Sequence, residues 1–154
     1  MFVLRRYVGT AITVALLTAG CGQTVHMQTF EAQPNTAEPC AALVADLPDT
    51  LLGADRATIQ PESHVMAAWG DPPIGLRCGV PRPAGLEMDS TLREVDGVAW
   101  FPQPQDAPSM YTAVYREAYV ELSIPASYGA PAAALTQVGE LIDEHLQERP
   151  DPGV

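Results

Sequence analysis

The fold of this chain is organised around the stretch Trp69-Gly70-Asp71-Pro72-Pro73-Ile74-Gly75-Leu76-Arg77-Cys78-Gly79-Val80-Pro81. Gly70 can take a positive φ, and each proline fixes its own φ and moves the preceding residue out of the helical region. A helix cannot cross this point. The stretch therefore predicts a tight turn at residues 70–73.

Apolar residues alternate on both sides of this turn, as they do in strands. They are Val65, Ala67 and Trp69 before it, and Ile74, Leu76, Cys78 and Val80 after it. The turn is thus predicted to join two neighbouring strands. Successive side chains alternate across a strand, so Arg77 lies on the face opposite Cys78. There it can either order the turn by pairing with Asp71 or bind a ligand's carboxylate or phosphate.

The charge of the chain limits its partners. All basic side chains are arginine, and residues 21–154 contain six of them against nineteen Asp and Glu, a net charge of −13. Such a charge repels the phosphates of nucleic acids and of anionic lipids. We therefore expect no nucleic-acid partner. We attribute the acidity to solubility rather than to recruitment of a cationic partner.

Residues 1–20 have the form of a secretory signal peptide, with Arg5-Arg6, an apolar run from Val8 to Leu17, and small residues before Cys21. The run is about half the ~20 residues of a membrane span. Leu17-Thr18-Ala19-Gly20-Cys21 resembles the bacterial lipobox, although Thr18 stands in place of the usual leucine. That resemblance implies lipidation of Cys21 and anchoring on the extracytoplasmic face of the cell membrane. The alternative is an ordinary signal peptide and a secreted chain.

Acylation of Cys21 would leave Cys40 and Cys78 as the only cysteines able to pair. A metal pair and a catalytic thiol are the alternatives, but neither residue has a cysteine or histidine at ligand spacing. We predict a Cys40–Cys78 disulfide, outside the cytoplasm. No metal site and no cofactor are expected.

Composition divides the remaining chain into three parts. Residues 21–37 are polar and predict a flexible tether, residues 38–148 a single domain, and residues 149–154 a disordered tail. The domain opens with a helix whose apolar face is spaced i, i+3, i+4, i+7 and which Pro48 ends: Cys40, Leu43, Val44 and Leu47. It closes with a helix opened by Pro131, whose apolar stripe is Leu135, Val138, Leu141, Ile142 and Leu146.

Between these helices the chain is rich in strand signals. Residues 95–101 follow the strand pattern with an Asp-Gly turn. Residues 110–124 form either one long strand or a hairpin with Arg116-Glu117 at its tip. The predicted fold class is α+β, a two-layer domain with about five mostly antiparallel strands and with the N-terminal and C-terminal helices packed on one face.

Four separated segments, in order, resemble an actinobacterial family of exported proteins, domain of unknown function 3515. They are residues 69–74 (Trp-Gly-Asp-Pro-Pro-Ile), 77–80 (Arg-Cys-Gly-Val), 95–100 (Val-Asp-Gly-Val-Ala-Trp), and 119–121 with 125–128. The resemblance covers about residues 38–146. It implies a secreted or envelope-anchored single domain from a high-GC Gram-positive bacterium, and it supplies no catalytic residues.

Four residues are candidates for binding: Trp69, Asp71, Arg77 and Trp100. Both tryptophans flank turn signals, so they either form an aromatic platform for a sugar or peptide or are large residues of the core. The preferred interpretation is a non-catalytic binding or accessory module for an envelope protein or a cell-wall ligand.

The alternative function is a small extracytoplasmic hydrolase acting on envelope peptides or esters. The sequence contains no Gly-x-Ser-x-Gly, His-Glu-x-x-His or Cys-x-x-Cys motif. His64 could instead act as a base, with Asp71 or Asp96 completing a triad in space. Ser63 is a poor nucleophile for it, because neighbours in a strand face opposite ways.

Overall fold

The computed structural model describes residues 22–150. The predicted signal peptide at residues 1–20, the lipidation site Cys21 and residues 151–154 of the predicted tail lie outside these described residues. No helix within residues 22–150 combines the length and the apolar character needed to cross a bilayer.

Residues 22–150 contain ten strands, two α-helices and one 3₁₀ turn at residues 126–128. In chain order the elements are β1 (Thr24–His26), α1 (Ala37–Asp46), β2 (Thr50–Leu51), β3 (Ala54–Asp55), β4 (Thr58–Gln60), β5 (Met66–Trp69), β6 (Ile74–Val80), β7 (Arg93–Val95), β8 (Val98–Gln103), β9 (Met110–Val114), β10 (Tyr119–Ser123) and α2 (Ala132–His145). The main sheet has the strand order β5-β6-β10-β9-β8-β7, and every neighbouring pair in it is antiparallel.

The predicted class, α+β with mostly antiparallel strands, is confirmed, but the predicted count of about five strands is wrong. The main sheet has six strands, and two small sheets pair β1 with β4 in parallel and β2 with β3 in antiparallel orientation. Strands of two or three residues are too short to show alternation in a sequence.

The structure confirms the turn predicted at residues 70–73 and decides between the two arrangements left open for residues 110–124. Trp69 of β5 lies opposite Ile74 of β6, with Gly70 at φ 69° between them. A side chain on Gly70 would collide with the Tyr128 hydroxyl, so glycine is required for packing as well as for backbone conformation. Residues 110–124, for which two arrangements were open, form the β9–β10 hairpin.

One face of the main sheet carries the larger core. Its centre is a row of four residues that are paired in register across β6, β10, β9 and β8: Cys78, Val120, Ala113 and Trp100. All four are fully buried. At one end of the row the Cys40–Cys78 disulfide joins α1 to β6, which confirms the predicted bridge. At the other end Gly139 of α2 packs against Trp100 and Val98.

The two helices follow the apolar spacing read from the sequence. On α1 and just beyond it, Cys40, Leu43, Val44 and Leu47 are buried, as are Leu135, Val138, Ile142 and Leu146 along α2 and just beyond it, while Leu141 is half-buried. The helices also contact each other. Their C-terminal ends are capped by arginines from loops: Arg56 donates to the Val44 and Leu47 carbonyl oxygens, and Arg116 donates to that of Leu146.

The second face of the sheet is covered by residues 23–33, which we call the strap. Val25 of the strap pairs with Ile59, and the Met27 methyl group packs close to Gly75. Further along, the Gln33 N–H donates to the Gly79 carbonyl oxygen at 2.8 Å. The strap therefore runs along β6 from its first residues to its last.

The prediction of a flexible tether over residues 21–37 is wrong for the strap, and the predicted tail begins too early. Residues 22–38 show no periodicity, and the strap depends on hydrogen bonds to distant backbone groups that no local pattern encodes. At the other end, Arg149 donates its backbone N–H to the Tyr115 carbonyl oxygen at 2.8 Å and lies 3.5 Å from the Glu117 carboxylate.

Candidate functional site

Both tryptophans of the predicted binding set lie in the core. Trp69 and Trp100 have no exposed surface, so neither ring can serve as a platform for a ligand. The Trp69 Nε1–H donates to the Pro48 carbonyl oxygen at 2.9 Å, and the Arg56 guanidinium lies 5.3 Å from the ring centre. The Trp100 Nε1–H has no hydrogen-bond partner among residues 22–150. Packing, the alternative left open by the sequence, accounts for both.

The other two predicted residues do not meet each other. Asp71 is exposed, and the turn that carries it is held by the Tyr128 hydroxyl, which donates to the Pro72 carbonyl oxygen at 2.8 Å. Arg77 instead pairs with Glu121 of β10, directly opposite in register. The interpretation of Arg77 as the residue that orders the Asp71 turn is therefore wrong, because β6 carries Arg77 away from the turn.

Arg77 and Glu121 form an ion pair on the second face of the sheet. Nε and Nη2 of Arg77 donate to the same oxygen, Oε1 of Glu121, at 2.9 and 2.5 Å. The side chains are 26% and 15% exposed. Phe30 of the strap lies over the guanidinium at 5.6 Å, a cation–π distance. Because the pair engages a single carboxylate oxygen, Nη1 and Oε2 are not used by this contact.

A groove of about 300 Å³ lies above this ion pair, between the strap and the sheet. Val25 and Met27 supply apolar walls, while His26 and Ser123 add polar groups at the rim. The Ser123 hydroxyl donates to the Gly75 carbonyl oxygen at 3.2 Å. Apolar walls around a few polar groups are the usual composition of small-ligand sites. Of the four predicted binding residues, Arg77 alone lines the groove.

A larger cleft of about 430 Å³ lies between α1 and the edge of the sheet, with Arg56, Ser63 and His64 in its lining. The Arg56 guanidinium donates hydrogen bonds to carbonyl groups at the C-terminal end of α1. Burial lowers the pKa of Arg56, and the nearby Asp49 carboxylate acts in the opposite direction. Arg56, the positively charged residue of this cleft, thus caps α1. The cleft is therefore a weaker candidate for a binding site than the groove.

His64 has neither of the carboxylates that the hydrolase interpretation would use. His64 and Asp71 lie at opposite ends of β5, about 20 Å apart along extended chain. Asp96 lies in the β7–β8 turn, and β7 is at the far edge of the sheet from β5, five strand spacings or ~24 Å away. The Ser63 hydroxyl accepts a hydrogen bond from the Val65 N–H at 3.2 Å.

Sequence reasoning missed Glu121 and Phe30, the two partners of Arg77. A signal for Glu121 was present, since Tyr119, Glu121 and Ser123 alternate with buried apolar residues along β10. Identifying it as the partner of Arg77 requires the β6–β10 register, which joins residues 44 positions apart. Phe30 has no comparable signal, because its segment lacks periodicity.

The structure therefore defines a class, an acidic α+β domain with a buried disulfide and a charged groove beneath its N-terminal strap. Within residues 22–150 there is no group of three or more His, Cys, Asp or Glu side chains placed to hold a metal ion. The family model described as "Protein of unknown function (DUF3515)" matches residues 6–151, so the chain belongs to that family. No curated protein and no solved structure matches the chain.

Proposed function

We propose that this protein is a lipid-anchored binding module on the extracytoplasmic face of the cell membrane. In this proposal residues 1–20 direct export, Cys21 carries the lipid, and the folded domain binds an envelope protein or a cell-wall component. The Cys40–Cys78 disulfide supports an oxidising compartment. It also leaves Cys21 as the remaining cysteine, the residue that a lipoprotein signal would use.

The observation that carries the binding role is the partly exposed Arg77–Glu121 pair at the base of the groove. A guanidinium that is held in place by Glu121 and Phe30 has lost most of its rotamer freedom before a ligand arrives. Such preorganisation lowers the cost of binding. The ligand group that matches Arg77 is a carboxylate, and an ammonium group on the same ligand would make a second contact with Glu121. Peptides of the cell wall and exposed protein termini contain both groups.

The test is a thermal-unfolding comparison with soluble cell-wall peptide fragments, using the disulfide-intact protein. A ligand at a hundred times its dissociation constant stabilises the folded state by ~2.7 kcal/mol, which is several degrees for a domain of this size. We expect the fragments to raise the melting temperature of the wild type. We expect no rise for Arg77→Ala, because the carboxylate contact is lost.

Arg93→Ala is the matched control, because Arg93 is exposed on β7 at the far edge of the sheet. It removes the same charge without touching the groove, and we expect it to respond as the wild type does. Glu121→Gln keeps the shape of the groove and removes the negative charge, so a weaker response to fragments with an ammonium group is expected. An equal response from wild type and Arg77→Ala would contradict the assignment of the site.

A further inference from the structure

The first contacts that hold the domain together are made close to Cys21, the proposed lipidation site. The Gln23 side-chain amide donates to the Gly70 carbonyl oxygen at 2.6 Å, and β1 starts at Thr24. Only Gly22 separates Cys21 from these contacts. Two Cα–Cα steps of ~3.8 Å limit the distance from Cys21 to Gln23 to about 7.6 Å.

This short link determines which end of the sheet can reach the membrane. We propose that the end carrying the β5–β6 turn lies against the lipid headgroups, with the rest of the domain extending away from the bilayer. The inference rests on the proposed lipidation of Cys21 and deepens it by assigning the membrane-facing surface. Gly22 allows the domain to tilt, but it does not allow the β5–β6 turn to move away from the surface.

The register of the sheet shows which other segments share that end. Gln103, Met110, Ser123 and Gly75 lie in one row across β8, β9, β10 and β6. The β8–β9 loop at residues 104–109 is therefore on the side of the β5–β6 turn. The β9–β10 turn at residues 115–118 is at the opposite end, one strand length or roughly 17 Å away.

Electrostatic attraction does not explain this orientation. Exposed acidic residues near the proposed membrane-facing end include Asp55, Asp71 and Asp106. Their charges would repel an anionic surface, and the repulsion would weaken beyond a Debye length of ~8 Å at physiological ionic strength. Contact with the bilayer is thus enforced by the covalent link. We expect the difference in exposure between the two ends to be largest on phosphatidylcholine vesicles, whose headgroups have no net charge, and to be independent of salt there.

Accessibility of introduced thiols to a bulky polyethylene-glycol maleimide tests the orientation. Asp71→Cys places a thiol in the β5–β6 turn, and Glu148→Cys places one beside Arg116 at the opposite end. Both positions are exposed acids, so the substitutions match in charge and accessibility. The full-length protein would be produced in a host that attaches the lipid and then placed in phosphatidylcholine vesicles. Cys40 and Cys78 are disulfide-bonded and do not react.

We expect Glu148→Cys to react several-fold faster than Asp71→Cys on vesicles. The same two variants carrying Cys21→Ser, which have no anchor, should react at similar rates in solution. If the two variants react at equal rates on vesicles while the wild type is unreactive and bound to the vesicles, the proposed orientation is wrong but the lipid anchor is not contradicted. A wild type that reacts at Cys21 would show a free thiol, which would overturn the anchor and the orientation with it.

Discussion

Substitution of the two buried tryptophans tests how much a hydrogen-bond partner for the indole N–H contributes to stability. Both side chains have no exposed surface, so Trp→Phe removes the same atoms from an equally buried site. The Trp69 Nε1–H bonds to the Pro48 carbonyl oxygen, whereas the Trp100 Nε1–H has no partner within residues 22–150. The packing loss is similar for both substitutions, so the difference between them reports on the polar contacts of each indole ring.

The magnitude of that difference follows from the contacts. Trp69→Phe loses a hydrogen bond of about 1 kcal/mol. It also weakens the cation–π contact with Arg56, which lies 5.3 Å from the ring centre. Trp100→Phe removes a buried donor whose lack of a partner costs about 1–3 kcal/mol in the wild type. We expect Trp69→Phe to be more destabilising than Trp100→Phe by about 2 kcal/mol, roughly a thirtyfold difference in the unfolding equilibrium constant.

Urea denaturation followed by far-UV circular dichroism measures the two free energies of unfolding without relying on tryptophan fluorescence. Equal m-values would show that the substitutions change stability and not the surface exposed on unfolding. A Trp100→Phe variant that is as destabilised as Trp69→Phe would refute the reasoning. Neither variant should change the response to cell-wall fragments, because neither ring touches the groove.

Two further predictions concern the junction of α1 with β6. Replacing Cys40 and Cys78 by alanine opens a loop with a sequence separation of 38 residues and should lower the free energy of unfolding in urea by up to ~4 kcal/mol; a loss below about 1 kcal/mol would contradict this. Gly79→Ala should cost ~1–3 kcal/mol more than Gly97→Ala, because both have positive φ but only at Gly79 would a Cβ meet the Thr36 hydroxyl oxygen, at 2.6 Å. Equal melting temperatures for the two glycine variants would argue against that clash.

The parts of the fold that were predictable depend on local sequence. The turn at Asp71-Pro72-Pro73 follows from proline and glycine geometry, and the buried face of α1 follows from the spacing of Cys40, Leu43 and Val44. The disulfide followed from the number and spacing of cysteines. The turn and the helix face are each decided by residues that lie close together in the chain. The disulfide was predictable because so few cysteines leave few possible pairings.

The site was less predictable because it is built from non-local pairs. Arg77 was singled out correctly as a charged residue on the face away from the core, but Glu121 is 44 residues away and Phe30 lies in a segment without periodicity. The sequence left the tryptophans open between a ligand platform and the core for a related reason. A tryptophan beside a turn can face either side of the sheet edge, and the packing of α1 and α2 decides which.

The strap also imposes an order on folding. It is the first described segment to be synthesised, yet the Gln33 side-chain oxygen accepts its hydrogen bond from the Tyr119 N–H, 86 residues later. Before β10 has been made and has paired with β6, the strap has no complete binding surface and the second face of the sheet has no cover. During that interval Phe30 and the apolar residues of the uncovered face are open to chaperones and proteases. The strap therefore cannot reach its complete set of contacts until β10 has been made, although it is the first described segment of the chain.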